Sequence, residues 1–127
     1  MKIRVYYKDT DCGGIVYHAR YLDFCEMARS ELFFSHGRSP TRNGCHFAIK
    51  HIDADFVKLA RLGDMLEVAT TLNKVRHTSL ALSHTITNQE GETVFGMDIV
   101  LVYLCQDGRP HAIDDETKDF FGKILSF

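Results

Sequence analysis

The feature that most constrains the fold is one long helical segment followed by four strand-like segments with short connections. Apolar residues recur at three- and four-residue steps through residues 17–36, which is typical of an amphipathic helix. Gly37 follows the last of them, where a helix is expected to end. The strand-like segments cover residues 47–56, 65–75, 79–87 and 93–105, and the last of these is the most apolar.

The connections between these segments are too short for crossover helices, which excludes a doubly wound parallel sheet. A short strand at residues 2–8 precedes the long helix, and a last helix is expected to begin near Asp114, with acidic residues in its first turn. We therefore expect an α+β fold in which an antiparallel sheet curls around one long central helix. At 127 residues the chain is expected to form one domain, residues 1–127.

Composition and charge argue against several classes of protein. A net charge of −2 is unfavourable for a protein whose main partner is nucleic acid. The longest apolar run, residues 99–105, is too short to span a bilayer, and we expect no secretory signal at residues 1–9. The four cysteines form no CxxC pair, which favours free thiols in the cytoplasm over a zinc site. The histidines show no metal-ligand spacing, so we expect neither a metal nor another cofactor.

Residues 9–21, DTDCGGIVYHARY, place an acidic, glycine-rich turn directly before the predicted helix. Asp and Gly are common in turns for backbone reasons alone, so a purely structural turn is one interpretation. A calcium loop is excluded because Gly13 and Arg20 occupy positions where an EF-hand needs oxygen ligands. A phosphate-binding loop is excluded because no Gly-Lys-Ser/Thr sequence follows.

The start of the predicted helix favours a functional site instead. No Ser, Thr, Asp or Asn stands at residues 15–18 to cap the helix, so the amides of these residues are expected to be free. The helix dipole favours negative charge at that end. A thioester or ester oxygen that becomes an oxyanion would suit these amides, and a carboxylate on the upstream turn could face the same carbon atom.

Residues 9–21 resemble the signature of the hotdog-fold thioesterases of the 4-hydroxybenzoyl-CoA thioesterase class, and most of all the YbgC-type acyl-CoA thioesterases. Residues 61–68, RLGDMLEV, are similar to the segment that opens the third strand in this family. The predicted order of strands and helices is also the family's order, so the resemblance covers nearly the whole chain. Leu59 is a departure, because relatives usually carry proline before the Ala-Arg pair.

The resemblance implies hydrolysis of an acyl-CoA thioester to a free acid and CoA. It assigns the catalytic carboxylate to Asp11, which either attacks the thioester carbonyl or activates a water molecule. It assigns to His18 a backbone N–H that holds the carbonyl oxygen and a side chain that orients the thioester. Tyr21 is a further candidate for the pocket lining, although packing alone explains it equally well. The candidates for substrate and CoA contacts are Tyr7, Tyr17, Lys58, Arg61, Arg76 and His77.

Two alternatives on this fold remain at this point. The chain could be a hydratase or dehydratase that acts on acyl thioesters, or a module that binds acyl carrier protein without catalysis. The basic residues could also form a solvated edge that prevents wrong strand pairing. Cys12, beside Asp11, is interpreted as a bystander. The resemblance implies a homodimer or homotetramer, with acyl-CoA as the substrate and acyl carrier protein as a second candidate partner.

Overall fold

The computed structural model describes residues 1–125, which form five strands, two α-helices and one short 3₁₀ helix. The long helix α1 covers Arg20–Phe34, and the C-terminal helix α2 covers Asp115–Ile124. The 3₁₀ helix covers Tyr7–Asp9. The strands are β1 (Lys2–Arg4), β2 (His46–Phe56), β3 (Met65–Val75), β4 (Ser79–Thr87) and β5 (Thr93–Leu104).

The five strands form one antiparallel sheet with the spatial order β1-β3-β4-β5-β2. Strands β3, β4 and β5 are hairpin neighbours, as their short connections predict. Strand β2 lies at the edge beside β5, so residues 57–64 carry the chain across the sheet to β3. The predicted antiparallel sheet is confirmed, but order along the chain does not reveal that β2 and β3 lie apart.

Helix α1 packs against one face of this sheet, which confirms the predicted α+β architecture. Its buried residues include Tyr21, Phe24, Cys25 and Ala28 at helical spacing. These residues join a core supplied mainly by β3, β4 and β5, and each large apolar side chain removed from water contributes about 1.5–3 kcal/mol to folding. Among the described residues, no helix is both long and apolar enough to cross a bilayer.

The start of α1 and the end of β1 differ from the predictions. Helix α1 begins at Arg20 instead of residue 17, and β1 ends at Arg4 instead of residue 8. The 3₁₀ helix at Tyr7–Asp9 replaces the end of the predicted strand, and α1 starts late because residues 10 and 16 form a β-bridge and Ile15 forms another with Arg61. These bridges hold residues 15–17 in extended conformation, so the helix starts only after them.

The cysteine prediction is wrong for two of the four residues. Cys45 and Cys105 form a disulfide, whereas Cys12 and Cys25 are free thiols. The two bonded residues are 60 positions apart in the chain, so their spacing carries no signal. The pairing of His46 with Leu104 at the end of the β2–β5 ladder brings the two cysteines opposite each other.

Helix α2 begins as predicted. Asp114 is its N-cap residue, and the Asp114 carboxylate accepts the Thr117 N–H at 2.9 Å. Phe120 and Phe121 are buried, and both rings pack against Phe33 of α1. The second helix therefore covers the C-terminal end of α1.

Candidate active site

A buried ion pair holds the turn that leads into α1. The Asp9 side chain is only 1% exposed, and its Oδ1 accepts hydrogen bonds from Arg20 Nη2 at 2.6 Å and Arg20 Nε at 3.1 Å. The second oxygen, Oδ2, accepts the Tyr6 N–H at 3.0 Å. Burial by itself would raise the pKa of Asp9, but the Tyr6 amide and the Arg20 guanidinium outweigh burial and keep the pKa below its ordinary value. The turn and the first residue of α1 are thus tied to one carboxylate.

The next carboxylate, Asp11, lies at the surface on a glycine turn. Its Oδ1 accepts the Gly13 N–H at 2.9 Å. Gly14 has φ +75°, a conformation that glycine adopts without strain. A Cβ atom at Gly13 would lie 3.3 Å from Asp11 Oδ1, so a side chain at that position would crowd the carboxylate. The glycine pair allows the turn and keeps Asp11 accessible.

The predicted set of free amides is only partly present. Val16 N–H donates to the Ala60 carbonyl and Tyr17 N–H donates to the Asp9 carbonyl, each at 2.9 Å, so the prediction is wrong for these two. The N–H groups of Ile15 and His18 have no acceptor within residues 1–125. Helix α1 starts two residues after His18 without a side-chain cap, so the His18 amide lies at the positive end of the helix dipole.

Asp11 and His18 line the same cleft, which has a volume of about 300 Å³. Lys58 also lines it, so three of the predicted site residues come together, and Tyr21, the further pocket candidate, joins them. The Lys58 ammonium forms an ion pair with Glu92 at the rim. The complete lining is Asp11, Ile15, Val16, His18, Tyr21, Phe56, Val57, Lys58 and Leu59.

Aromatic rings form one wall of the cleft. The Phe56 ring meets the His18 ring edge-on at 6.4 Å between centroids, and it meets the Tyr21 ring at 5.8 Å. The Tyr21 hydroxyl accepts the Ala60 N–H at 3.2 Å, which fixes Tyr21 in the floor. Sequence reasoning missed Phe56, because a residue at the end of a strand carries no signal about which element it will face.

The remaining predicted contact residues do not line this cleft in one subunit. Tyr7 is 81% exposed on the 3₁₀ helix, and the Tyr17 ring lies tilted beside the His18 ring, with 4.4 Å between their centroids. Arg61 bridges to Ile15 and then leads toward β3. Arg76 and His77 lie in the β3–β4 hairpin, at the end of β3 opposite to Arg61. The predicted residues outside the lining are thus Tyr7, Tyr17, Arg61, Arg76 and His77.

Solved structures match this architecture closely. A probable thioesterase from Bartonella henselae superposes with a TM-score of 0.83 at 26% identity, covering 90% of this chain and 97% of that one. A DHNA-CoA thioesterase from Staphylococcus aureus superposes with a TM-score of 0.88 at 21% identity, covering 98% of this chain and 88% of that one. The antiparallel sheet wrapped on a central helix is thus the hotdog fold of thioesterase structures.

Sequence comparisons lead to the same family. The thioesterase superfamily model matches residues 13–95, a segment that contains His18 and starts two residues after Asp11. The chain is 37% identical over 103 residues to an acyl-CoA thioester hydrolase YbgC from Escherichia coli, covering 79% of this chain and 77% of that protein. The chain belongs to the thioesterase superfamily.

The predicted similarity to the YbgC-type proteins is also confirmed. The acyl-CoA thioesterase YbgC of Helicobacter pylori is 46% identical over 82 residues, which make up 65% of this chain. The matched segment spans 62% of the Helicobacter pylori protein's length.

Proposed function

We propose that this protein is an acyl-CoA thioester hydrolase that releases a free acid and CoA. The observation that carries the proposal is that Asp11 and His18 line one cleft before α1, where the His18 N–H has no acceptor within residues 1–125. Membership in the thioesterase superfamily and the names of the YbgC relatives support the same activity.

In the proposed reaction the thioester carbonyl oxygen accepts the His18 N–H. Charge builds up on this oxygen as the carbonyl carbon is attacked, and an amide at a helix N-terminus stabilises that charge. Asp11 either attacks the carbon, which expels CoA thiolate and leaves an anhydride for water to cleave, or takes a proton from the attacking water. Both routes consume one water and yield the acid and the thiol.

Substrate contacts follow from the rest of the cleft. The His18 and Tyr21 rings, with Phe56, offer an apolar surface to the acyl group next to the thioester. Lys58 is a cation that lines the same cleft as Asp11, so it is a proposed contact for the phosphates of CoA. Tyr7 and Tyr17 are further proposed substrate contacts, and Arg61, Arg76 and His77 are proposed contacts with the phosphates of CoA.

We propose that the working enzyme is a homodimer or homotetramer in the cytoplasm, with acyl carrier protein as a second candidate carrier of the acyl group. Strand β2 supports an assembly of two or more copies, because it is an edge strand and its Ile49 is 52% exposed. Pairing with a second copy would cover such an edge. Light scattering after size exclusion measures the assembly, and a monomer at micromolar concentration would contradict it.

The decisive experiment replaces Asp11 by Asn and follows thiol release from a panel of acyl-CoA thioesters. Asn keeps the shape of the side chain and can still accept the Gly13 N–H, so the turn is expected to persist. We expect kcat to fall by about 10² to 10⁴-fold, because the carboxylate is needed for attack or proton transfer. Asp119→Asn is the matched control, since Asp119 is exposed on α2. Parental turnover by Asp11→Asn would overturn the mechanism.

The same panel tests the alternative activities. Free thiol appears only if the thioester bond is cleaved, whereas a hydratase changes the absorbance of an enoyl thioester without releasing thiol. A change in enoyl absorbance alone, or binding without either signal, would overturn the hydrolase proposal.

A further inference from the structure

A second cavity lies between α1 and the sheet, and it shares no lining residue with the Asp11 cleft. Its volume is about 240 Å³. The walls are mainly apolar and aromatic, and the apolar lining residues of α1, α2 and three strands are Phe33, Phe47, Leu82, Leu101 and Phe121. A cavity of about 150 Å³ with such walls is large enough to bind benzene. This cavity therefore has room for a ring or a short chain with a polar end.

Charged and polar residues complete the lining, among them the cation Arg29 of α1, with Glu26 and His46. Arg29 Nη1 lies 3.1 Å from His84 Nε2, and His84 Nδ1 lies 3.0 Å from Thr70 Oγ1. Because a guanidinium only donates, His84 Nε2 accepts, so His84 Nδ1 carries the proton and donates to Thr70. The buried His84 is therefore neutral, and it supplies no negative charge to compensate the positive charge of Arg29.

The Arg29 guanidinium forms no direct ion pair within residues 1–125, although the Glu26 carboxylate is near enough to raise its pKa. The bond to His84 is the only hydrogen bond of its guanidinium in that part of the chain, although a guanidinium has five N–H donors. No carboxylate oxygen of residues 1–125 lies within 4.0 Å of it, and Glu26, one turn earlier on α1, lines the same cavity without forming an ion pair. Burial lowers the pKa of Arg29, because a cation that is partly withdrawn from water loses hydration.

We propose that this cavity binds a small apolar carboxylic acid, with the carboxylate on Arg29 and the ring or chain between Phe33, Phe47 and Leu82. A carboxylate matches the planar fork of a guanidinium and replaces the lost hydration with charged hydrogen bonds. The free acid released by the proposed hydrolysis has this chemistry. That link to the product rests on the proposed function, whereas the site itself rests on the cavity and its cation.

The test titrates the full-length protein with benzoate and with benzamide, and it follows the amide and methyl resonances of Leu82 and Leu101 by NMR. The two probes have the same shape, but only benzoate is charged. We expect saturable shifts with benzoate and at least tenfold weaker binding of benzamide. Equal binding of both probes, or no binding of benzoate at millimolar concentration, would overturn the proposal.

Variants separate the cation from general effects. Arg29→Gln should weaken benzoate binding at least tenfold, while Arg29→Lys, which keeps the charge and a donor to His84, should retain part of it. Arg109→Gln removes one exposed arginine and should leave benzoate binding unchanged. Ser30→Leu, which narrows the cavity without removing a charge, should weaken both probes.

Two results would overturn the site independently of catalysis. One is an Arg29→Gln variant that binds benzoate as well as Arg109→Gln does. The other is a parent protein that binds no benzoate together with an Arg29→Gln variant that has a changed oligomeric state. In that case the Arg29 guanidinium would bind a second copy of the chain. Neither readout uses thioester turnover, so an inactive protein can still show the binding site, and an active one can lack it.

Discussion

The Asp9 carboxylate and the Arg20 guanidinium join the two ends of the turn that carries the candidate catalytic residues. Asp9 ends the 3₁₀ helix and Arg20 begins α1, and their closest atoms are 2.6 Å apart. The Asp9 carbonyl also accepts the Tyr17 N–H, which gives a second link between the 3₁₀ helix and the residues before α1. The pair thus helps to hold the turn on which Asp11 and His18 stand.

Asp9→Asn should destabilise the protein by about 2–3 kcal/mol, because Arg20 then loses the buried one of its two charged partners, Asp9 and Asp23. Urea unfolding measures this change. Asp23→Asn is the matched control, because Asp23 bonds the same guanidinium but is half exposed, and a surface pair contributes less than about 1 kcal/mol. Equal losses in the two variants would contradict the special role of the buried pair.

Acid should destabilise the fold through His84. Burial and the neighbouring Arg29 lower the pKa of His84 from 6.5 to about 3, so the unfolded chain binds a proton between these values that the folded chain does not. The free energy of unfolding should therefore fall as pH drops below about 6.5, by up to about 1.4 kcal/mol for each pH unit. Urea titrations from pH 7.5 to pH 4 measure this slope.

A variant of His84 provides the control for this slope. His84→Gln lacks the titrating ring, so its stability should depend less steeply on pH across the same window. His51→Gln removes an exposed histidine of β2 and should keep the parental slope. A parental slope in His84→Gln would assign the acid sensitivity to other groups.

Reduction of the Cys45–Cys105 disulfide should lower the free energy of unfolding by about 2–4 kcal/mol. The bond closes a segment of 60 residues, which strongly restricts the unfolded chain. Urea unfolding with and without dithiothreitol measures the difference, and Cys45→Ser should reproduce it. Cys12→Ser removes an exposed free thiol and should change neither stability nor its response to the reductant. Identical unfolding curves with and without reductant would contradict the bond.

Neutralisation of Lys58 or Arg76 should impair the hydrolysis of acyl-CoA but not that of a short thioester that lacks the nucleotide. Neutralising either residue should raise KM for acyl-CoA about tenfold, because a charged phosphate contact is lost. The short thioester carries no phosphates, so its hydrolysis should not change. Arg109→Gln is the control for net charge. Equal effects on both substrates would show that the residue acts without touching phosphate.

Local pattern was sufficient to predict most elements of this fold. Strands β3 and β4 have the predicted bounds, and α2 begins at Asp115, beside the predicted start near Asp114, because alternation and helix starts depend on residues close together in the chain. The motif around Asp11 and His18 was also readable, since its turn is built from neighbouring residues. The disulfide and the position of β2 were not, because each depends on contacts between distant segments.

What the amino-acid sequence determined by itself was the sheet-and-helix architecture, the acidic glycine turn and the family. What only the tertiary structure decided was which groups share a space: Phe56 and Lys58 with Asp11, and Arg29 with His84. The physical reason is that periodicity records which face of an element is buried, but not which element covers it. Likewise, the Val16 and Tyr17 N–H groups are not free, because they donate to the carbonyls of Ala60 and Asp9. Neither acceptor belongs to the helix pattern.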